Sequence, residues 1–213
     1  MFVRERMTVN PFTVTENTPI FEAGELLRKN NIARLPVVKD GKVIGIITQE
    51  DLLKVSPSAA TTLSVWELNY VLSKIQVKDG MTKNPVIISP DATLEEAAMI
   101  MRDKKVGALP VVEDEKLIGI ITESDVFDAF LDLMGLKRTG TRLTVDLEDR
   151  IGAIADLTEI IKEQGINIIS MALFHRPDNQ GELVLRLDSN RSDQLINEIQ
   201  NKGFKVVHVA NWF

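Results

Sequence analysis

The pattern of apolar and polar residues predicts two small α/β units in the first part of the chain, each with the order β-α-β-β-α. In the first unit an extended segment at 12–15 precedes a helix, and a β-hairpin with arms at 35–38 and 43–47 follows it. Asp40-Gly41 supplies the hairpin turn, because this pair readily adopts positive φ angles. The helix carries its apolar side chains on one face: Ile20, Ala23, Leu26 and Leu27. A closing helix begins at Thr48.

This pattern recurs later in the chain at one constant offset, so the sequence contains an internal duplication. The repeated pieces are Met7-Thr8 with Met81-Thr82, Asn10-Pro11 with Asn84-Pro85, Leu35-Pro36-Val37-Val38 with Leu109-Pro110-Val111-Val112, and Gly45-Ile46-Ile47-Thr48 with Gly119-Ile120-Ile121-Thr122. The constant offset means that no insertion separates the copies. One copy has too small a sheet to bury both of its faces, so we expect the two copies to pack together.

A different pattern begins at Arg142, where strands and helices follow one another in the order βαββαβ. This order is the ferredoxin-like plan. The fold class predicted for the whole chain is therefore α+β. We expect a first unit at 1–62, a connecting helix at 63–77, a second unit at 78–135 and a C-terminal unit at 136–213.

The connecting helix carries a broad apolar surface, formed by Trp66, Leu68, Tyr70, Val71 and Leu72. Two interpretations stay open for it. The surface packs within the paired units, or it forms a contact between two copies of the chain.

Composition excludes several classes of protein. No apolar run approaches the roughly 18 residues that a transmembrane helix needs, so we expect no membrane partner. The charged N-terminus lacks the apolar stretch of a signal peptide, and together with the absence of cysteine this favours the cytoplasm. The net charge of −6 is spread along the chain without a basic cluster, which argues against a nucleic-acid partner.

The spacing Gly-Ile-Ile-Thr-x-x-Asp carries the candidate chemistry, since it places Thr48 at a strand-to-helix turn and Asp51 in the first helical turn. A carboxylate there can accept hydrogen bonds from the hydroxyls of a ribose, while helix N–H groups and the Thr hydroxyl can meet a phosphate. The same spacing also matches a capping box. Both interpretations apply equally to Thr122 and Asp125 in the second copy.

These repeated motifs, together with Met-Thr-x-Asn-Pro and Leu-Pro-Val-Val, resemble those of the CBS-domain family, and the pair resembles a Bateman module. The resemblance implies two clefts that hold AMP, ATP, S-adenosylmethionine or a related adenosyl ligand, with the ribose on the Asp. One cleft would be lined by Thr18, Ala23, Ile32 and Ala33 and closed by Thr122, Ser124 and Asp125. The other would be lined by Ala92, Ala97, Val106 and Gly107 and closed by Thr48, Glu50 and Asp51.

The two clefts differ in their polar residues, so we expect them to bind unequally. Thr18 and Ser124 add hydroxyls to the Asp125 cleft, whereas Glu50 adds a carboxylate to the Asp51 cleft. Glu50 either repels a phosphate or points to solvent. Arg34 is either a phosphate contact or an ordinary surface residue. The sequence therefore favours the Asp125 cleft.

The C-terminal unit resembles the ACT domain in its turn Asp149-Arg150-Ile151-Gly152 and in Gly165-Ile166-Asn167-Ile168. The resemblance implies a small-molecule site that involves Asp149, Gly152, Asn167 and Ile168. The alternative is that Gly152 only starts a helix. The fold itself hosts many functions.

A CBS pair joined to an ACT-like unit resembles the acetoin-utilisation AcuB family, with Ser64-Val65-Trp66-Glu67-Leu68-Asn69-Tyr70 adding to the likeness. This resemblance implies a homodimeric regulator with an adenosyl effector, no further cofactor and an unidentified downstream protein. We predict no enzyme, because only His175 and His208 are present and no metal-ligand spacing or nucleophile motif occurs. The alternatives are a scaffold with empty clefts and an enzyme that uses cleft carboxylates.

Overall fold

The computed structural model describes residues 1–55, 70, 74–177, 180–189 and 193–212, the side chain of residue 212 excepted. The chain divides into two units, Met1–Val126 and Phe127–Phe213. The first unit contains both copies of the duplicated sequence except most of the second copy's closing helix, and the second unit contains the rest of that helix and the C-terminal sheet. The boundaries expected from the sequence stay predictions.

Each copy folds in the predicted β-α-β-β-α order. After a short 3-10 turn at Val3–Glu5, the first copy contains β1 (Thr8–Val9), α1 (Ile20–Lys29), β2 (Arg34–Lys39), β3 (Lys42–Thr48) and α2 (Gln49–Val55). The second copy contains α3 (Val77–Gly80), β4 (Thr82–Lys83), α4 (Leu94–Lys104), β5 (Ala108–Glu113), β6 (Lys116–Thr122) and α5 (Glu123–Leu133). The segments predicted as leading strands, 12–15 and 86–89, each form only one isolated parallel bridge, at Val14 and at Ile88.

The two short strands β1 and β4 each pair with the sheet of the other copy. Strand β1 pairs antiparallel with β6 of the second copy, and β4 pairs antiparallel with β3 of the first, which gives the strand orders β1-β6-β5 and β2-β3-β4. The glycine of each repeated motif makes this crossing possible. A Cβ at Gly119 would lie 2.5 Å from the sulfur of Met7, and a Cβ at Gly45 would lie 2.7 Å from that of Met81.

The first residues of the chain are part of the second copy. Val3 is completely buried there, and its N–H donates to the carbonyl of Ala92 at 2.9 Å. Arg4 forms an ion pair with Asp91. The equivalent bond in the first copy runs from the Val77 N–H to the Thr18 carbonyl. The duplicated sequence therefore folds as one interlocked body.

In each copy the helices and the sheet bury apolar side chains. In the first copy the core consists of Val14, Ile20, Ala23, Leu27, Leu35, Val37, Ile47, Leu52 and Val77. Three of these positions, Ile20, Ala23 and Leu27, were expected from the apolar face of the helix. Only fragments of the connecting helix can be compared with the sequence, because Trp66, Leu68, Val71 and Leu72 lie outside the described residues. Tyr70 is exposed, with the Lys74 Nζ 5.4 Å from its ring centre.

The second unit has the predicted βαββαβ order. Its elements are β7 (Gly140–Glu148), α6 (Ala153–Glu163), β8 (Ile168–His175), β9 (Gln180–Leu187), α7 (Asp193–Asn201) and β10 (Lys205–Trp212). The antiparallel sheet has the order β10-β7-β9-β8. Alternate residues of β7 and β9 pack against the two helices, as the period of two requires. The predicted α+β fold is confirmed. Within the described part of the chain, no helix is long and apolar enough to cross a membrane.

Candidate ligand clefts

The repeated Thr and Asp residues form the same hydrogen-bonded box in both copies. In the first, the Thr48 N–H and hydroxyl donate to Asp51 Oδ2 at 3.0 and 2.7 Å, and the Asp51 N–H donates to the Thr48 hydroxyl at 3.2 Å. Thr122 and Asp125 repeat this arrangement at 2.8, 2.7 and 3.3 Å. The capping interpretation of the motif therefore holds in both copies. These bonds use only Oδ2 of each aspartate, and Oδ1 of Asp51 lies 3.8 Å from Lys54 Nζ.

A cavity of about 680 Å³ lies beside the Asp51 box, between the two copies. The first copy contributes Ala33, Arg34, Ile46, Thr48, Gln49, Glu50, Asp51 and Leu53 to its wall. The second copy contributes Thr82, Asn84, Pro85, Val86, Lys105, Val106, Gly107 and Ala108. This volume is in the range of small-molecule sites, and the wall combines apolar surface with a few polar groups, as such sites do.

Five residues that the sequence assigned to the Asp51 cleft meet at this cavity: Thr48, Glu50, Asp51, Val106 and Gly107. Ala33 lines it as well, although it was expected in the other cleft. Ile32 and Ala33 also border a separate depression of about 430 Å³ between α1 and α2.

The remaining predicted cleft residues have other surroundings. Ala23 and Ala97 have no exposed surface and lie on the buried faces of α1 and α4, so neither reaches a cleft in this structure. The half-buried Thr18 uses its hydroxyl to accept the Thr15 N–H at 3.0 Å. Ala92 is half-buried, and Ser124 is exposed on the first turn of α5. Their roles in ligand binding stay predictions.

Glu50 lies on the wall of the cavity but is largely exposed to solvent. Its side chain is 78% exposed and pairs with Lys54 Nζ at 3.0 Å. This hydrogen bond to Glu50 raises the pKa of Lys54 above its usual value. Of the two interpretations of Glu50, the structure favours the solvent-exposed one.

Two cations line the Asp51 cavity. Arg34 begins β2 and is half-buried, and its guanidinium lies against Gly107, where an added Cβ would be 2.8 Å from Nη1. Lys105 ends α4 with a left-handed φ of +55°. Sequence reasoning weighed Arg34 without assigning it to a cleft and missed Lys105. The only signal for Lys105 was its position just before the Val106-Gly107 pair.

Three other wall residues were recognised in the sequence as parts of a repeat, without a role in binding. They are Thr82, Asn84 and Pro85, which belong to the motif Met-Thr-x-Asn-Pro. They reach the cavity because β4 crosses onto the sheet of the first copy. The duplication showed that these residues recur in the sequence, but only the pairing of β4 with β3 brings them to the cavity.

The ACT-like turn has the geometry of a helix entry. Gly152 precedes α6 with φ +88°, and an added Cβ would meet only Arg150 Nη1, at 3.9 Å. Asp149 Oδ2 lies at hydrogen-bond distance from His175 Nδ1, at 2.9 Å. The Asn167 carbonyl accepts the N–H of Asp188, and Ile168 begins β8. A ligand role for Asp149, Gly152, Asn167 and Ile168 stays a prediction.

A second polar cavity, of about 440 Å³, lies near this turn and is lined by Arg150, Lys202 and Lys205 among others. Across the ranges that the structure describes, no group of three or more His, Cys, Asp or Glu side chains is arranged to hold a metal ion.

The interlocked repeats and their Thr-Asp boxes define a protein with a tandem pair of CBS domains, followed by a ferredoxin-like domain. The CBS-domain family model matches residues 3–58 and 73–132, and a model of the TTHA0829-like ACT domain matches residues 139–210. The chain therefore belongs to the CBS-domain family and carries a C-terminal ACT domain. Both resemblances seen in the sequence are confirmed.

Among curated relatives, the chain is 33% identical over 155 residues to the uncharacterized protein MJ1426 of Methanocaldococcus jannaschii, which covers 62% of this chain and 92% of the relative. Three solved structures are similar as well. CBSX2 in complex with AMP has a TM-score of 0.54 and 32% identity, covering 62% of this chain and 97% of that one. A putative acetoin utilization protein (AcuB) from Vibrio cholerae has a TM-score of 0.54 and 29% identity, covering 64% and 95%.

The third structure is the CBS domain pair of protein MJ0100 in complex with 5-methylthioadenosine and S-adenosyl-L-methionine. Its TM-score is 0.51 and its identity 30%, covering 61% of this chain and 99% of that one. Adenosyl compounds thus bind to CBS pairs that are similar to this one.

Proposed function

We propose that this protein is a non-enzymatic regulator whose CBS pair binds an adenosyl ligand of the AMP, ATP and S-adenosylmethionine class. The observation that carries the proposal is the cavity of about 680 Å³ in which Thr48 and Asp51 of one copy face Val106 and Gly107 of the other. The proposal is supported by similar CBS pairs, which bind AMP and S-adenosyl-L-methionine.

In this site Asp51 receives the ribose. Its Oδ2 already accepts two hydrogen bonds from Thr48, and its Oδ1, which lies 3.8 Å from Lys54 Nζ, is the oxygen that would accept hydrogen bonds from the ribose hydroxyls. A carboxylate is suited to this task, because hydrogen bonds to an ionised acceptor are about twice as strong as neutral ones. The apolar side chains of Ile46, Pro85 and Val106 offer a surface for the adenine.

The choice of cleft differs from the one that the sequence favoured. Thr18 and Ser124 gave the Asp125 cleft more hydroxyl groups, but the Thr18 hydroxyl is engaged with Thr15. Glu50, the reason to disfavour the Asp51 cleft, is exposed and paired with Lys54. We therefore place the principal site at Asp51.

Binding would regulate the protein through its C-terminal domain or a partner. A ligand can shift an equilibrium between two arrangements only if it binds them with different affinity. We propose that the protein acts as a homodimer and that the ligand changes contacts made by the ACT domain or by an unidentified downstream protein. The likeness to AcuB supports a role in acetoin or acetyl metabolism. The cytoplasmic location stays a prediction.

Thermal unfolding of the full chain with AMP, ATP or S-adenosylmethionine tests the proposal. A ligand at about 100 times its Kd should stabilise the folded protein by about 2.7 kcal/mol. Asp51→Asn should abolish this shift, because the amide oxygen can still accept from Thr48 while the amide nitrogen replaces the oxygen that faces the ribose. Asp125→Asn is the matched control.

Absence of any shift with all three ligands at millimolar concentration would contradict the proposal and favour a scaffold. Recovery of a chemically altered ligand by mass spectrometry would contradict the non-enzymatic part.

A further inference from the structure

We infer that Ser170 and Arg186 form a joint that fixes the end of the second CBS domain's closing helix to the ACT sheet, so that a shift of this helix is transmitted to strands β8 and β9. Helix α5 (Glu123–Leu133) begins in the first unit and continues into the second. The Thr122-Asp125 box lies at its start. The use of the joint in regulation rests on the proposed function, whereas the joint itself does not depend on a ligand.

Helix α5 ends in a Schellman motif, which fixes the direction of the chain after the helix. The N–H of Leu136 donates to the carbonyl of Leu131 at 3.1 Å, and the N–H of Gly135 donates to that of Asp132 at 3.0 Å. Gly135 has a left-handed φ of +67°, as this motif requires. The last carbonyls of a helix have no acceptor role within it, so the carbonyl of Met134 is open to a donor from elsewhere.

The carbonyl of Met134 accepts two hydrogen bonds from the ACT sheet. The Ser170 hydroxyl on β8 donates at 2.9 Å, and Arg186 Nε on β9 donates at 3.1 Å. Ser170 and Arg186 are partners in the pairing of β8 with β9, so the two donors converge on one oxygen. A cation at the carboxyl end of a helix is also favoured by the helix dipole. Both strands therefore hold the end of α5.

The contact between the helix end and the sheet is close enough to require a glycine. A Cβ at Gly135 would lie 2.6 Å from Cγ2 of Ile169 and 3.2 Å from Cδ of Arg186. Ile169 lies where the register of β8 with β9 shifts, and a bulge of this kind re-aims a side chain. A movement of α5 along the sheet would therefore have to break both bonds to Met134 and displace Ile169.

The buried charge of Arg186 is explained by this joint. Only 5% of Arg186 is exposed, and it lies directly opposite Arg142 in the pairing of β7 with β9. Burial, and to a lesser extent the charge of Arg142, lower the pKa of Arg186. A buried cation opposite a second cation costs free energy. An apolar residue could be buried here at lower cost, but it could not donate to Met134.

Hydrogen exchange of the full chain without ligand tests the joint. Asp125→Ala removes the carboxylate at the start of α5. We expect this change to raise the exchange rates of amides in β8 and β9 at least about tenfold, because the helix carries the perturbation to the sheet. In an Arg186→Met background, Asp125→Ala should raise the same rates less than about twofold, since sites that are no longer connected act independently.

Two further variants guard against a trivial result. Arg142→Met is the matched control, because it removes the opposite arginine, which bonds to Thr144 at 2.8 Å, and leaves both bonds to Met134 in place. It should preserve the response to Asp125→Ala. Ser170→Ala removes the second donor and should reduce the response, which tests the joint even if Arg186→Met destabilises the ACT domain by itself.

Unchanged exchange in β8 and β9 on Asp125→Ala in the parent protein would overturn the inference. An equal response in the parent, the Arg186→Met and the Ser170→Ala backgrounds would overturn it as well. Failure of every adenosyl compound to bind would contradict the proposed function and leave the ligand-free test of the joint intact.

Discussion

Removal of the Asp carboxylate from either Thr-Asp box should destabilise the protein without any ligand present. In Asp51→Ala the substitution deletes the two bonds that Oδ2 accepts from Thr48, at 3.0 and 2.7 Å, and leaves the Thr48 hydroxyl without its carboxylate partner. The Thr48 hydroxyl still accepts the N–H of residue 51 in this variant, so only the two bonds to the carboxylate are lost, and a hydrogen bond to a charged group contributes about 1.5 kcal/mol. The expected loss is therefore about 2–3 kcal/mol.

The same loss is expected for Asp125→Ala, because the second box has nearly the same distances, 2.8 and 2.7 Å. Urea unfolding of the ligand-free protein, followed by far-UV circular dichroism, measures both. Asp103→Ala is a suitable control, since this aspartate is exposed and should change the free energy of unfolding by less than about 0.5 kcal/mol.

Two results would refute this reasoning. If both alanine variants were as stable as the parent protein, the boxes would not contribute to folding. If only one variant were destabilised, equal geometry would not mean equal energy. The expected result also shows why a ligand test needs Asp51→Asn and not alanine: alanine changes the ligand-free protein as well.

Three further outcomes are expected. Gly140→Ala should lower stability by about 3 kcal/mol, because a left-handed residue is strained and its Cβ would meet a backbone carbonyl of β9, whereas Gly165→Ala, with open space around it, should cost only about 1 kcal/mol in urea unfolding. Val3→Ala should cost about 2 kcal/mol, since the side chain is fully buried; an unchanged midpoint would contradict the role of the N-terminus in the second copy. The hydrogen bond from Lys42 lowers the pKa of Glu115 below its ordinary value of 4.5. The stabilisation by this pair is therefore present above pH 4.5 and is lost as the pH falls through the lowered pKa. In Lys42→Ala this pH dependence should be absent, and carboxyl NMR should show Glu115 titrating at about 4.5.

Most of the secondary structure could be predicted from local patterns. The apolar face of α1 repeats with the helical period, and the hairpin turns at Asp40-Gly41, where both residues have positive φ. These features depend on residues that are close together in the sequence, so they can be predicted from the sequence alone. The closing helices begin where the Thr-x-x-Asp spacing predicted, because the capping box is itself local.

The crossing of the leading strands could not be predicted in this way. β1 and β4 are only two residues long, too short to show an alternating pattern. Their partners are in the other copy, far away in the sequence. The conserved spacing of Gly45 and Gly119 in the repeat was visible, but its reason, the close approach of Met81 and Met7, depends on that distant pairing.

The residues of the candidate site likewise fall into those that the sequence predicted and those that it did not. Thr48 and Asp51 were found because their spacing is a local motif. Arg34 and Lys105 were not assigned to it, because a strand start and a helix end meet at the cavity only after the copies interlock. The expected order of the two clefts changed for the same reason, once the carboxylate of Glu50 was found exposed and paired with Lys54.

The sequence by itself determined the duplication, the order of the elements, the family and the two Thr-Asp motifs, because periodicity and short spacings are properties of neighbouring residues. The tertiary structure alone decided which copy completes which sheet and which side chains share a cavity. Those outcomes depend on burial and on contacts between residues far apart in the chain, and no local pattern records them. For this protein the difference is concrete: the Thr-Asp motifs are visible in the sequence, but only the folded chain shows that residues of both copies line the cavity beside Asp51.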